Sequence, residues 1–208
     1  MRFKVCGMRY PDNIAALGRL QPDYMGFVFY PHSARAVPRQ DGQVRSFIAG
    51  IQHILTVGVF VEEAAELVLQ TVQAYGLDRV QLHGTASPAY CAALEKHVPV
   101  IKSFSIDETF DWRLPALYEN SCSYFLFDTA TPQFGGSGWQ FDWQLLHNYT
   151  GDKPYFLSGG IGPEQVAGLK AITDKRLYAI DVNSRFELQP GLKNISLIQT
   201  FQHELYNQ

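Results

Sequence analysis

Eight short apolar runs recur along this chain at intervals of about 25 residues, the length of one strand, one helix and two turns. They are Phe3–Cys6, Tyr24–Phe29, Leu55–Phe60, Arg79–His83, Val100–Ser105, Tyr124–Asp128, Tyr155–Ser158 and Leu177–Val182. Val57–Phe60 and Phe125–Phe127 lack a polar alternation, as strands covered on both faces should. The stretches between the runs mostly read as helices. Asp12 stands where it can cap the first, with Ile14, Leu17 and Leu20 on one face, and Glu62–Tyr75 carries Leu67, Val68 and Val72 at helical spacing. Ser87-Pro88 and Pro163-Glu164 open two more, proline standing where its missing N–H costs nothing. Asp107–Leu117 contains Pro115, which predicts a short or irregular fifth helix. No Pro/Gly-rich linker divides the chain. The expectation is an α/β fold in one domain over residues 1–208, a single (β/α)8 TIM barrel, with an open sheet of eight strands as the alternative. A barrel of this kind needs roughly 200 residues, and the chain has 208.

Composition narrows the function. A hydrophobic content of 46% supplies one large core, and a net charge of -3 argues against a phosphate-backbone binder, so no nucleic-acid partner is expected. No apolar stretch approaches the roughly 18 residues of a membrane span, and Met1–Tyr10 reads as a strand rather than a secretory signal. Cys6, Cys91 and Cys122 are far apart, form no CxxC pair and point to a cytoplasmic setting, with Cys91 and Cys122 as core residues. The six histidines have no metal-ligand spacing, and no Walker or dinucleotide motif follows a strand, so neither metal nor cofactor is expected.

In a barrel, chemistry belongs at the C-terminal ends of the strands, and polar groups gather there. Cys6 ends the first strand, either as a small buried hydrophobe or as a base or nucleophile working as its thiolate. Lys4 shares its face and either assists that ionisation or pairs with a carboxylate such as Asp181. Asp128 ends the sixth strand as a loop cap or, if desolvated, as a proton donor. A thiolate base facing a carboxylic acid suits isomerisation. Gly159 and Gly160 after strand 7, with Asn183 and Ser184 after strand 8, occupy the usual phosphate position of barrels. The Gly135–Gly138 loop, Gly136 within it, either closes on a ligand or merely connects. Arg35 either clamps a carboxylate or is solvated. Gln81 and His83 share one face of strand 4, His83 as a hydrogen-bonding wall residue.

These residues resemble the phosphoribosylanthranilate isomerase family of tryptophan biosynthesis. The resemblance runs in order through Lys4-Val5-Cys6-Gly7-Met8, Gly26–Pro31 with Ser33 and Arg35, Gln81-Leu82-His83-Gly84, and Asp128 with Gly135–Gly138 and Phe141-Asp142-Trp143. It continues through Leu157–Ile161 and Asp181-Val182-Asn183-Ser184, so it spans nearly the whole chain. It implies a ribulose-phosphate-binding barrel that carries out an Amadori rearrangement of N-(5-phosphoribosyl)anthranilate to 1-(o-carboxyphenylamino)-1-deoxyribulose 5-phosphate without a cofactor. It implies Asp128 as general acid, Cys6 as general base, Arg35 on the anthranilate carboxylate and the glycine turns on the phosphate. Gln81, His83, Gly136 and Asp181 complete the implied substrate-binding set. Two places depart from the family pattern. Arg185 stands where a glycine is usual, which replaces a left-handed turn by a guanidinium beside the phosphate loop, and Trp139-Gln140 stand where Lys-Thr is common. The histidine-pathway isomerase, with the same chemistry, would carry an Asp at Cys6, and indoleglycerol phosphate synthase would need a Lys and Glu set that is not found. A non-catalytic sugar-phosphate sensor is the alternative outside enzymes. Oligomeric state is not legible.

Overall fold

A computed structural model describes residues 1–38, 41–130 and 140–207. Strands β1 (Arg2–Val5), β2 (Tyr24–Val28), β3 (Leu55–Val61), β4 (Arg79–His83), β5 (Val100–Ile106), β6 (Tyr124–Thr129), β7 (Tyr155–Leu157) and β8 (Leu177–Val182) pair in parallel, each with the next. Pairing of β8 with β1 closes the barrel, so the open sheet is ruled out. The expected strand ends differ by one residue at several places. Cys6 and Ser158 lie just past β1 and β7, still tied to the sheet by their backbone N–H groups, which donate to Val182 and Phe127.

Helices α1 (Pro11–Gly18), α2 (Gly42–Ala49), α3 (Ala65–Tyr75) and α4 (Pro88–Glu95) follow the first four strands. Ser87 caps α4 by accepting from the Tyr90 N–H, with Pro88 in the first turn. Asp12 does not cap α1. Pro11 precedes it inside the helix and the cap position is Tyr10, so Asp12 adds its charge to the first turn instead. Leu67 of α3 is 38% exposed, and Val68, Thr71 and Tyr75 form the buried stripe.

The second half replaces helix by aromatic surface. Among the described residues, the helical elements after β5 and β6 are 3-10 turns, Leu114–Tyr118 and Trp143–Asn148, the first shortened as Pro115 suggested. Rings close the gap against the sheet. Phe104 meets Phe125 edge-on at 5.2 Å, Trp112 meets Phe127 at 5.4 Å, and Tyr149 meets Phe127 at 5.2 Å. Aromatic side chains bury a large area each, so short turns that carry them can cover the sheet. Pro163–Gln165 is likewise a 3-10 turn that leads into α5 (Val166–Ala171). Beyond β8 comes a 3-10 turn, Ser184–Phe186, then a hairpin of β9 (Glu187–Gln189) and β10 (Leu192–Lys193), and α6 (Ile195–Tyr206).

Inside the barrel, Tyr24, Val57, Ile101, Leu126, Phe156 and Ala179 fill the bottom as a dry layer. Above it the buried polar side chains Lys4, Gln81, Ser103 and Asp181 gather beside a small apolar patch of Val28 and Val59. That is the opposite of a uniformly packed core and places the chemistry at the C-terminal end. Phe127→Ala should cost about 3–5 kcal/mol, because it empties a fully buried ring position, whereas Leu117→Ala, 66% exposed, should stay within about 0.5 kcal/mol. Urea unfolding of both variants checks this.

Candidate active site

The polar layer is organised by one ammonium. Lys4 and Asp181 are register partners on β1 and β8, so their side chains point into the barrel at the same height. Lys4 Nζ donates to Asp181 Oδ2 and to Gln81 Oε1, each at 2.8 Å, and all three side chains are buried. Burial alone would strip Lys4 of its proton, but Asp181 and the Cys6 thiol together hold its pKa above the ordinary lysine value. The carboxylate pairing that the sequence offered for Lys4 is thus present, and its charge also lies close enough to the Cys6 thiol to pull that pKa down.

Cys6 lies one inward position above Lys4 and is 5% exposed. Its thiol fits because β2 has no side chain at Gly26, where a Cβ would lie 2.6 Å from Cys6 Sγ. Burial pushes the thiol pKa up, Lys4 pulls it down, Asp181 raises it again, and Lys193 lowers it; burial prevails. Cys6 is thus mainly a thiol whose thiolate is supported by two cations.

Asp128 lies across the rim at the end of β6, half-buried. Burial and the Asp181 carboxylate raise its pKa from 3.8 to about 6, against hydrogen bonds from Thr129 and Ser158 and the attraction of Lys4. The Thr129 N–H donates to Asp128 Oδ1 at 3.0 Å. The next strand end must come very close here. Gly159 has φ +94°, and a Cβ on it would collide with Thr129, 2.5 Å from its backbone nitrogen. Gly160 is also left-handed, at φ +63°. The glycine pair is required by the backbone whatever it binds.

Arg35 is not solvated. Its Nε and Nη2 grip Glu187 in a fork of 2.6 to 3.1 Å, so a ligand carboxylate can meet only the remaining Nη edge. Glu187 also accepts from Lys193 Nζ at 2.6 Å, and Lys193 Nζ donates to Asn183 Oδ1 at 2.6 Å. The Lys193 backbone is clasped from both sides by the Asn13 amide. Burial lowers the pKa of Lys193 to about 8 despite Glu187. Burial pushes Glu187 up, but Arg35 and Lys193 outweigh it and hold the carboxyl below its ordinary value. Glu187, Lys193 and Asn13 were given no role from the sequence, and Gly26 entered there only within the Gly26–Pro31 stretch. Glu187 and Lys193 meet only because the β9–β10 hairpin folds them together, and no local spacing announces that.

The remaining expectations sort plainly. Gln81, His83, Asp181, Asn183 and Ser184 come to the rim or just beneath it, with Gly159 and Gly160. Gly136 lies outside the described residues. Arg185 needs no left-handed backbone, since Ser184–Phe186 is a 3-10 turn, and its guanidinium pairs with Glu164 at 2.5 Å across the loops after β7 and β8. Cys91 and Cys122 are buried in the outer core. Among the described residues no three His, Cys, Asp or Glu side chains cluster as a metal site would, and no helix is long and apolar enough to cross a membrane.

The raised pKa of Asp128 has a thermodynamic consequence. A carboxyl protonated more readily when folded favours the folded state below pH 3.8, and that contribution disappears as pH rises through about 6. At roughly 1.36 kcal/mol per pH unit, wild type should lose up to about 3 kcal/mol from this group by neutral pH. Asp128→Asn should therefore gain stability over wild type between pH 4 and pH 7 in urea titrations, and a constant difference would contradict the assignment.

A family model described as N-(5'phosphoribosyl)anthranilate (PRA) isomerase matches residues 3–204. The N-(5'-phosphoribosyl)anthranilate isomerase of Phocaeicola vulgatus is 40% identical over 206 residues, 99% of this chain and 98% of that protein. The crystal structure of phosphoribosyl anthranilate isomerase from Thermotoga maritima superposes with a TM-score of 0.86 at 30% identity, covering 99% and 98% of the two chains. A phosphoribosyl anthranilate isomerase in complex with reduced 1-(o-carboxyphenylamino)-1-deoxyribulose 5-phosphate superposes with a TM-score of 0.84 at 29% identity, with the same coverage. Agreement of model, sequence and fold over nearly the whole length means that this chain belongs to the N-(5'-phosphoribosyl)anthranilate isomerase family.

Proposed function

We propose that the chain catalyses the Amadori rearrangement of N-(5'-phosphoribosyl)anthranilate to 1-(o-carboxyphenylamino)-1-deoxyribulose 5-phosphate, an isomerisation in tryptophan biosynthesis. The observation that carries the chemistry is that a thiol and a carboxyl with a raised pKa stand at the same end of one barrel, Cys6 beside Lys4 after β1 and Asp128 at the end of β6. Membership of the family supplies the substrate.

The steps follow from those groups. Asp128, on the order of a tenth protonated at pH 7, gives its proton to the ribose ring oxygen. The C1–O bond breaks as the anthranilate nitrogen lone pair forms a protonated Schiff base at C1. The Cys6 thiolate then takes the C2 proton, and the electron pair moves to the iminium nitrogen to give an enolamine. Protonation at C1 and loss of the C2 hydroxyl proton give the ketone. No electrons leave the substrate, so the atoms and charges balance without a redox partner. The nearby ammonium of Lys4 stabilises the thiolate, and its bond to Asp181 keeps it fixed while it does so.

Binding divides between the two sides of the rim. The Gly159-Gly160 turn and the Asn183-Ser184 turn receive the phosphate. The free edge of Arg35 receives the anthranilate carboxylate. Asp181 Oδ1, which has no hydrogen-bond partner among the described residues, accepts from a sugar hydroxyl. The reading extends to residues 1–208 as one catalytic domain at work in the cytoplasm, supported by the unbroken run of eight strands and three unpaired cysteines.

The test is the decay of anthranilate fluorescence with phosphoribosylanthranilate generated in situ. Wild type should consume it rapidly. Cys6→Ala and Asp128→Asn should each lose turnover by at least about 10²–10⁴-fold, the usual contribution of a positioned acid or base, with the fold retained. Near-normal turnover in either variant removes that residue from the mechanism. No decay with folded wild type overturns the function.

A further inference from the structure

His83 sits at the end of β4, and its Nε2 lies 2.6 Å from Gln81 Nε2, one inward position below. An amide nitrogen can only donate, so the protonation of the imidazole follows once the amide's orientation is fixed, and the rest of the layer fixes it. Lys4 Nζ is a pure donor and lies 2.8 Å from the other end of the Gln81 amide. The end facing an ammonium must therefore be the oxygen, because a flipped amide would set N–H against N–H in a buried site. Gln81 Nε2 is then a donor toward His83, and His83 Nε2 must accept. A neutral imidazole that accepts at Nε2 carries its hydrogen on Nδ1.

The direction cannot reverse locally. Lys4 is itself anchored by Asp181 at 2.8 Å, and Gln81 is 2% exposed, so no solvent stands ready to take over either end of the amide. Protonating Nε2 would confront the Gln81 N–H with a second donor. Turning Gln81 to relieve that would break its bond to Lys4. Burial and the positive charges of Lys102 and Lys4 act in the same sense and lower the His83 pKa to about 3. Nδ1 has no hydrogen-bond partner among the described residues.

We propose that Gln81 is a positioning residue that transmits the polarity of Lys4 to His83, holding it as a neutral Nδ1–H tautomer that donates a fixed hydrogen bond to an oxygen of the substrate and carries no proton in turnover. The tautomer follows from the donor chain alone. The substrate contact rests on the proposed function, and the two are separable by experiment.

Long-range proton–nitrogen correlation spectra of nitrogen-labelled protein, with His83 assigned by its loss in His83→Asn, report the tautomer without any turnover. Wild type should show a protonated Nδ1 and a bare Nε2 at His83, unchanged from about pH 5 to about pH 8, the range in which an ordinary histidine titrates. Gln81→Glu keeps the shape but offers only acceptors. It should move the hydrogen of His83 to Nε2, while kcat/KM falls roughly tenfold, the order of one hydrogen bond. An Nε2–H tautomer or an ordinary titration in wild type overturns the proposal, and that spectrum stands even if Gln81→Glu does not fold. A folded Gln81→Glu with the His83 tautomer unchanged removes Gln81 from its role. The expected tautomer shift with unaltered kcat/KM overturns the substrate contact alone.

Discussion

The site depends on a buried charge that cannot leave. Lys4 enters the barrel above a dry aromatic and aliphatic layer, where an isolated ammonium would be untenable, and Asp181 on the adjoining strand makes it tenable at 2.8 Å. The remaining donors of Lys4 are then oriented by geometry. One reaches Gln81, and the charge itself acts on the Cys6 thiol, so one cation opposes burial at the thiol and fixes the direction of a hydrogen-bond chain. Asp181 has a second effect. Its negative charge reaches Asp128 and helps raise that carboxyl's pKa, so the two members of one ion pair act on both groups, Lys4 pulling the thiol down and Asp181 pushing the acid up.

A second buried cation, Lys193, repeats the device in the hairpin beyond β8. Glu187 anchors it as Asp181 anchors Lys4, and the anchored pair orients Arg35 and the Asn183 amide. Breaking either carboxylate would strand a charge in a low-dielectric interior, a stability cost that ties the fold to the site. Such pairs contribute little net stability. What they supply is direction, and catalysis by proton transfer needs groups held in place before substrate arrives.

The barrel was largely legible because parallel strands buried on both faces write themselves as uninterrupted apolar runs, and eight of them occur in order. The rim residues Cys6, Asp128, Gly159 and Gly160 were legible for the same reason, since each terminates a run. What could not be read depends on long-range contact. Pro115 announced the short element after β5, but the 3-10 turn Trp143–Asn148 goes with the way Tyr149 covers Phe125 and Phe127 and had no local signal. Glu187 and Lys193 look like ordinary hairpin charges until the hairpin folds back on Asn13 and Arg35. Arg185 invited a role at the phosphate loop, yet its charge is shared with Glu164, a partner 21 positions away in the chain.

The most direct test of this account is the ionisation of Cys6 itself. Thiolate absorbance is followed against pH in wild type and in the double variant Lys4→Met/Asp181→Asn, which removes both buried charges together and strands neither. Cys6→Ala in each background subtracts Cys91 and Cys122. Lys4 lowers the Cys6 pKa more than Asp181 raises it, so the account predicts that the double variant ionises at a higher pH than wild type. A titration that stays in place or moves to lower pH would contradict the claim that the Lys4–Asp181 pair sustains the thiolate of the proposed base.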